Sequence, residues 1–163
     1  MILIALGSNL PSSKYGLPLQ TVRAAIVELA RRGITISSCS QFYQTAPVPA
    51  SDQPWYVNAV IAVETGLDAS ALLKLLHDLE SDFGRIRGIR NESRILDLDL
   101  LAYGDEIHAG DMDLPHPRLH GRLFVLHPLC DIAPDWMHPI LRKSARQLLA
   151  ECADKSKISV IKE

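Results

Sequence analysis

The sequence of 163 residues predicts an α+β fold in which helices pack on one mainly antiparallel sheet. Short apolar runs bounded by glycine, proline or polar residues are typical of strands. Two longer segments repeat apolar residues every three or four positions, which is typical of helices. The predicted order is strand, helix, two strands, helix, strand. This is the β-α-β-β-α-β order of a ferredoxin-like core, to which the chain adds further strands and C-terminal helices.

The elements of the first half are separated by clear turn residues. The predictions are a strand at 2–6, a helix at 17–32, strands at 34–43 and 56–64, and a loop at 45–54. Gly33 ends the helix. The two later strands are rich in β-branched and aromatic residues, and we expect them to pair across the loop. The loop contains three prolines, which neither a helix nor a central strand tolerates.

The second half begins with a leucine-rich helix that Asp68 or Ser70 can cap and that Gly84 ends. After it we predict an exposed loop at 85–93, a strand at 95–103, a loop at 114–120, helical pieces at 122–130 and 143–152, and a polar tail. Because no repeat or linker interrupts this order, we expect one domain over residues 1–163.

Composition narrows the function classes. Hydrophobic residues make up 47% of the chain and the net charge is −2, so nothing global favours nucleic acid or an anionic membrane as a partner. The apolar runs are too short to span a bilayer. The three cysteines are far apart and form no CxxC motif, as expected in a reducing compartment. With no signal-peptide pattern at the N-terminus, we expect a cytoplasmic protein.

Asp97 and Asp99 are the strongest candidate for chemistry. On a strand, side chains two positions apart point to the same face, while Leu96, Leu98 and Leu100 point to the other. Two carboxylates on one face repel each other, and a hard cation such as Mg²⁺ relieves that repulsion. The alternative is that both aspartates lie on the solvated face of an edge strand.

Arginines are concentrated on both sides of this pair. They are Arg85, Arg87, Arg90 and Arg94 before it and Arg118 and Arg122 after it. A guanidinium matches phosphate oxygens and stays charged, so phosphoryl transfer is one interpretation. A salt-bridged surface loop is the other. The chain has neither GxxxxGK[ST] nor GxGxxG, which excludes nucleotide binding by those loops. His116 lies between two prolines and is a weaker candidate.

A second cluster combines residues 44–48 with the strand start at 55–58. It offers the hydroxyl of Thr45, the carboxamide of Asn58 and several flat or apolar side chains. These groups suit a planar heterocycle with hydrogen-bonding edges. Tyr56 and Asn58 would face the same side of the strand. A hairpin with core aromatics fits the same residues.

Five motifs in order resemble a known family. They are Leu6-Gly7-Ser8-Asn9-Leu10, Phe42-Tyr43-Gln44-Thr45-Ala46-Pro47, Asp52-Gln53-Pro54-Trp55-Tyr56-Val57-Asn58-Ala59, Arg94-Ile95-Leu96-Asp97-Leu98-Asp99-Leu100 and Leu114-Pro115-His116-Pro117-Arg118. The resemblance is to 6-hydroxymethyl-7,8-dihydropterin pyrophosphokinases, the folate-pathway enzymes that move pyrophosphate from ATP to a pterin alcohol. It runs to about Pro134.

The resemblance implies a role for each matching residue. Asp97 and Asp99 would bind two Mg²⁺ ions, and Arg85 and Arg94 would be catalytic. Six residues would contact ATP: His77, Glu80, Arg87, Leu100, His116 and Arg122. Six would hold the pterin: Thr45, Ala46, Val48, Tyr56, Asn58 and Phe124. The resemblance also implies a monomer acting on small molecules, with loops at 45–53 and 85–93 that close over the nucleotide.

The chain departs from the family pattern before the aspartates. The family's Arg-Trp-Gly-Pro-Arg appears here as Arg90-Asn91-Glu92-Ser93-Arg94, so Asn91 replaces a tryptophan that covers the substrates. Two other hypotheses stay open beside an active enzyme. One is a non-catalytic paralogue that binds pterin or nucleotide, and the other is an interaction domain with a solvated charged loop.

Overall fold

The computed structural model describes residues 1–84 and 94–162. Its strands are β1 (Ile2–Ser8), β2 (Thr35–Cys39), β3 (Tyr43–Thr45), β4 (Tyr56–Glu64), β5 (Asp97–Tyr103) and β6 (Ile158–Val160). Its helices are α1 (Pro18–Arg31), α2 (Ala69–Asp82), α3 (Leu123–Ile132) and α4 (Ala145–Glu151), with a 3₁₀ turn at Leu119–Gly121 before α3. None of the helices described here has the length and apolar content that crossing a membrane requires.

One antiparallel sheet joins these strands in the order β5-β1-β4-β3-β6, and β2 pairs with β4 beside β3. The α+β class is therefore confirmed. From β1 to β5 the chain follows the predicted β-α-β-β-α-β order, except that the first of the two middle strands is divided into β2 and β3. At the start of α2, the Asp68 carboxylate accepts a hydrogen bond from the Ala71 N–H at 2.8 Å, so Asp68 rather than Ser70 is the cap.

Two parts of the predicted pattern were wrong. The strand predicted at 34–43 is divided into β2 and β3, because the Ser40 side chain is buried there and accepts a hydrogen bond from the Val60 N–H at 3.0 Å. The same hydroxyl donates to the Gln41 carbonyl at 2.7 Å. The tail after α4 contains β6, which pairs with β3. The sequence does not predict β6, because its apolar–polar alternation covers only Ile158, Ser159 and Val160 and the neighbouring residues are mostly polar.

The sheet has an apolar core on each face. The first core packs β1, β4 and β5 against α1 and α2, and it contains Leu96, Leu98 and Leu100 as predicted. The second core packs the opposite face against α3 and α4 and contains Leu101. Asp97 and Asp99 precede Leu101 at two-residue spacing, so all three share the second face. The carboxylates therefore lie where that apolar face ends.

Strand register brings three important residues into one row across the sheet. Asp97 on β5 is opposite Gly7 on β1, and Gly7 is opposite Asn58 on β4. This row, Asp97–Gly7–Asn58, links the predicted metal strand to the predicted pterin strand through one intervening strand.

Candidate active site

A cavity of about 240 Å³ opens on the second face of the sheet, at the end where the row lies. Its walls come from four strands (β1, β3, β4 and β5), the loop after β3, the segment before β5, and the segment that leads into α3. The lining residues are Ala5, Leu6, Gly7, Thr45, Ala46, Pro47, Val48, Pro49, Ser51, Gln53, Tyr56, Asn58, Arg94, Asp97, Asp99, Arg118, Arg122 and Phe124. One cavity thus contains both clusters that the sequence singles out.

Each aspartate faces a cation. The Arg94 guanidinium donates to Asp97 Oδ1 at 2.7 Å, and Arg122 Nη1 lies 3.6 Å from Asp99 Oδ2. The side chains of Asp97 and Asp99 are 27% and 32% exposed. Half-burial strengthens these attractions relative to a pair in open water, because the local dielectric is lower. The arginines hold the carboxylates without hiding them from the cavity.

Burial and charge shift the proton affinities around Asp99. Burial raises the pKa of Asp99, and the negative charge of Asp97 raises it further. Burial lowers the pKa of His116 and so favours its neutral form, which fits Nδ1 accepting a hydrogen bond from the Arg118 N–H. His116 Nε2 lies 3.8 Å from Asp99 Oδ2. Two crowded carboxylates without full neutralisation are a place where a cation binds favourably.

The pKa values of Arg94 and Arg122 shift in opposite directions. Burial alone would lower the pKa of Arg94, but the charge of Asp97 and its hydrogen bond outweigh burial and raise it. Burial lowers the pKa of Arg122, and the like charge of Arg118 acts in the same direction. Both guanidiniums remain charged at neutral pH because their ordinary pKa is so high. Two positively charged groups therefore lie beside Asp97 and Asp99, which form the floor of the cavity.

Asn9 fixes the position of Arg94, a role that no pattern in the sequence predicts. Asn9 is 1% exposed. Its Oδ1 accepts a hydrogen bond from the Arg94 N–H at 2.8 Å, and its own N–H donates to the Arg94 carbonyl at 3.1 Å. Its Nδ2 donates to the Pro54 carbonyl at 3.1 Å. One buried carboxamide thus joins the arginine segment to the loop that precedes β4.

Glu80 and Leu100 support the strand that carries the aspartates. Glu80 is buried, and its Oε1 accepts a hydrogen bond from the Leu98 N–H at 2.7 Å. Since Leu98 lies between Asp97 and Asp99, this bond ties α2 to the centre of the acidic strand. Leu100 packs its side chain into the first core, so only its backbone could reach a ligand. His77 lies one turn before Glu80 on α2.

The six residues predicted to hold a pterin all line the cavity. Asn58 Nδ2 donates to Thr45 Oγ1 at 2.6 Å, which fixes the orientation of the carboxamide. Tyr56 lies on the same wall, and its hydroxyl donates to Gln53 Oε1 at 3.4 Å. Arg122 lies over the Phe124 ring, with 5.3 Å between the guanidinium carbon and the ring centroid. These side chains border the cavity rather than fill a closed core.

Other predicted site residues are placed differently. His116 lies 3.8 Å from Asp99 but does not line the cavity. His77 and Glu80 lie on α2, which packs against the opposite face of the sheet. The Leu100 side chain packs into the core on that opposite face. Arg85, Arg87 and Asn91 lie outside the described residues. Gly7, Ser51 and Gln53 line the cavity although the sequence suggested no role for them, and Arg118, one of the arginines noted after the aspartates, lines it as well. Gly7 lies on β1, and Ser51 and Gln53 lie in the loop between β3 and β4, so all three are far from the aspartates along the chain.

A family model for 7,8-dihydro-6-hydroxymethylpterin-pyrophosphokinase matches residues 3–134. The chain belongs to this pyrophosphokinase family. A relative from Synechocystis, named 2-amino-4-hydroxy-6-hydroxymethyldihydropteridine pyrophosphokinase, is 37% identical over 91% of this chain and 74% of its own length. The relative of the same name from Haemophilus influenzae is 41% identical over 83% of each chain.

Some pyrophosphokinase relatives are much longer proteins. The chain is 42% identical to the mitochondrial folate synthesis bifunctional protein of Arabidopsis thaliana, but it spans only 23% of that protein. Among solved structures, a HPPK-DHPS in complex with substrates superposes with a TM-score of 0.69 at 13% identity. The Plasmodium falciparum HPPK-DHPS with pteroate gives 0.68 at 14% identity. The chain spans 42% of either solved chain, and at these identities the likeness concerns the fold alone.

Replacing Asn9 by alanine tests its place at this pyrophosphokinase site. Asn9→Ala removes the acceptor for the Arg94 N–H and the donor to the Pro54 carbonyl, so buried polar groups lose their partners. We expect the free energy of unfolding to fall by about 1–3 kcal/mol, measured by chemical denaturation. Ser37→Ala, at an exposed strand position, should stay within about 0.5 kcal/mol of the parent. Equal effects of the two changes would contradict the assignment.

Proposed function

We infer that this protein transfers pyrophosphate from ATP to the hydroxymethyl group of 6-hydroxymethyl-7,8-dihydropterin, releasing AMP, in folate biosynthesis. The observation that carries the proposal is the meeting of two clusters in one cavity. Paired aspartates flanked by arginines suit a polyphosphate, and Asn58 with its neighbouring rings suits a planar heterocycle. The family to which the chain belongs is named for a reaction that involves both a pterin and a pyrophosphate group, which supports a transfer between the two clusters.

The acidic strand fits magnesium. Asp97 and Asp99 offer carboxylate oxygens on one face, which are the ligands that Mg²⁺ prefers, and a cation there would offset the burial and the Asp97 charge that raise the pKa of Asp99. Among the described residues no set of three or more histidine, cysteine or acidic side chains forms a metal site, so phosphate and water would complete the coordination. We propose two ions held by this pair. When bound, magnesium neutralises phosphate charge and orients the oxygens for transfer.

The arginines would bind the phosphates. Arg94 and Arg122 flank the aspartates and direct their guanidiniums into the cavity, where N–H groups can donate to phosphate oxygens. Asn9 holds the backbone of Arg94, so this donor is in place before the substrate binds. Donors positioned beforehand stabilise the charge that develops in the transition state without reorganisation. Arg85, Arg87 and His116 are proposed as further contacts, the first two from outside the described residues.

The proposed reaction is an in-line displacement at the β-phosphorus of ATP. The pterin hydroxymethyl oxygen attacks the β-phosphorus of ATP in line, the new oxygen–phosphorus bond forms, and the bond to the α-phosphate oxygen breaks. AMP leaves with the bonding electron pair, and the proton of the alcohol passes to solvent water. Asn58, fixed by Thr45, keeps its Oδ1 and one amide hydrogen for the polar edge of the pterin. Tyr56 and Phe124 border the ring.

We further propose that residues 1–163 act as one pyrophosphokinase domain, as a monomer and in the cytoplasm. The match of the family model over residues 3–134 supports the first part. The relatives include proteins named as mitochondrial, so the compartment is a separate question from the chemistry. Oligomeric state and compartment stay predictions from the sequence.

Release of AMP tests the transfer. Purified protein with ATP, Mg²⁺ and 6-hydroxymethyl-7,8-dihydropterin should produce AMP only when all three are present. Asp97→Asn or Asp99→Asn should lower kcat by about a hundredfold or more, the scale on which removing one electrostatic contact to a transition state is felt. The control Asp135→Asn changes an aspartate that is 85% exposed and should leave kcat unchanged.

Two outcomes would count against this reading. Tight binding of ATP and pterin without AMP release would favour the non-catalytic paralogue. Near-normal turnover in either aspartate variant, with circular dichroism showing a native fold, would remove the proposed metal pair.

Gly7→Ala tests the proposed role of Asn58 in binding the pterin. A Cβ at Gly7 would lie 2.9 Å from Asn58 Oδ1, too close for real contacts, so the carboxamide must move. Displacing one well-oriented hydrogen-bonding group should raise the KM for the pterin about tenfold and leave the KM for ATP nearly unchanged. Gly66→Ala is the matched control, because a Cβ there meets nothing within 4 Å. An unchanged pterin KM in Gly7→Ala would refute the role of Asn58.

A further inference from the structure

Arg118 lines the cavity but has no part in the transfer described above. It comes from the segment before α3, whereas Arg94 comes from the segment before β5. Unlike Arg94 and Arg122, whose side chains are 27% and 20% exposed, Arg118 is an exposed residue. It is therefore a third guanidinium on the same wall, at the rim rather than the floor.

The three arginines differ in their partners. Asp97 pairs with Arg94 at 2.7 Å, and Asp99 lies 3.6 Å from Arg122. Within residues 1–84 and 94–162, no carboxylate lies within 4.0 Å of the Arg118 guanidinium. The acidic side chains of the floor are thus already matched to the other two arginines. The charge of Arg118 is left facing the cavity.

The backbone around Arg118 is fixed. Its N–H donates to His116 Nδ1 at 3.2 Å, and its carbonyl accepts from the Gly121 N–H at 3.2 Å. The 3₁₀ turn Leu119–Gly121 then leads to Arg122, so Arg118 and Arg122 stand at the two ends of one short turn. Two cations held this way repel each other. An anion bound between them removes that repulsion and gains hydrogen bonds from both.

We propose that Arg118 binds phosphate oxygens of ATP and is a further substrate-binding residue of the transfer. The inference rests on the proposed function for the identity of the anion. A triphosphate offers several charged oxygens that match the guanidinium fork, whereas the pterin is uncharged and offers no comparable partner. Arg118 and Arg122 then hold the polyphosphate from the rim and the floor of one wall.

Direct binding separates this role from catalysis. Calorimetry with α,β-methylene-ATP and Mg²⁺ measures affinity without turnover, because the bond that the transfer would break is replaced. Arg118→Gln should weaken this affinity about tenfold, the usual scale for losing one hydrogen bond to a charged group. Arg118→Lys keeps the charge and loses the fork, so it should fall between Arg118→Gln and the parent. The KM for the pterin should not change.

Arg146→Gln is the matched control. It removes the same charge from an arginine that is 68% exposed and does not line the cavity, so its affinity should match the parent. Inorganic tripolyphosphate, as a competitor of the analogue, should also bind about tenfold more weakly to Arg118→Gln. Because Arg118 is exposed, none of these changes should alter the fold.

Three results would overturn the role of Arg118. They are an affinity of Arg118→Gln within about twofold of the parent, an equal loss in Arg146→Gln, and a loss for the analogue with none for tripolyphosphate. A parent protein that releases no AMP would refute the transfer, yet the affinity comparison would still decide whether Arg118 binds phosphate.

Discussion

Asp97 and Asp99 point to one face of β5, and their negative charges repel each other in a half-buried cavity. Much of the surrounding structure compensates for this repulsion. Arg94 and Arg122 each approach one carboxylate, and Asn9 holds Arg94. Buried Glu80 does not offset the charge, but it accepts a hydrogen bond from the backbone between the two aspartates and so holds the strand in place. The apolar sheet beneath cannot relax to separate the charges, because Leu98 and Leu100 anchor the opposite face of the same strand.

The two faces of the sheet have different roles. The face toward α1 and α2 is a continuous apolar core, which stabilises the fold and holds the strands in register. The face toward α3 and α4 is apolar along only part of its length. At the end that the helices leave open, polar side chains from three strands meet a loop and the segment before α3. Rigid strands thus carry the groups that need fixed spacing, and loops carry the groups at the rim.

Local pattern predicted the features that depend on spacing along the chain. The two-residue period placed both aspartates on one face and the leucines of β5 on the other, and the turn residues bounded most elements. Features that depend on distant contacts were missed. The break between β2 and β3 depends on a Ser40 bond to Val60, β6 depends on pairing with β3, and Asn9 acts through Arg94, 85 positions away. The resemblance to a family, rather than periodicity, named the residues that are proposed to hold the pterin.

The row Asp97–Gly7–Asn58 crosses three neighbouring strands. Since adjacent strands lie about 4.8 Å apart, the acidic strand and the Asn58 strand are separated by roughly 10 Å. The sheet therefore sets a fixed distance between Asn58, which would bind one edge of the pterin, and the carboxylates, which would lie beside the reacting phosphates. A substrate that contacts both would have to span that distance, and Gly7 adds no side chain between them.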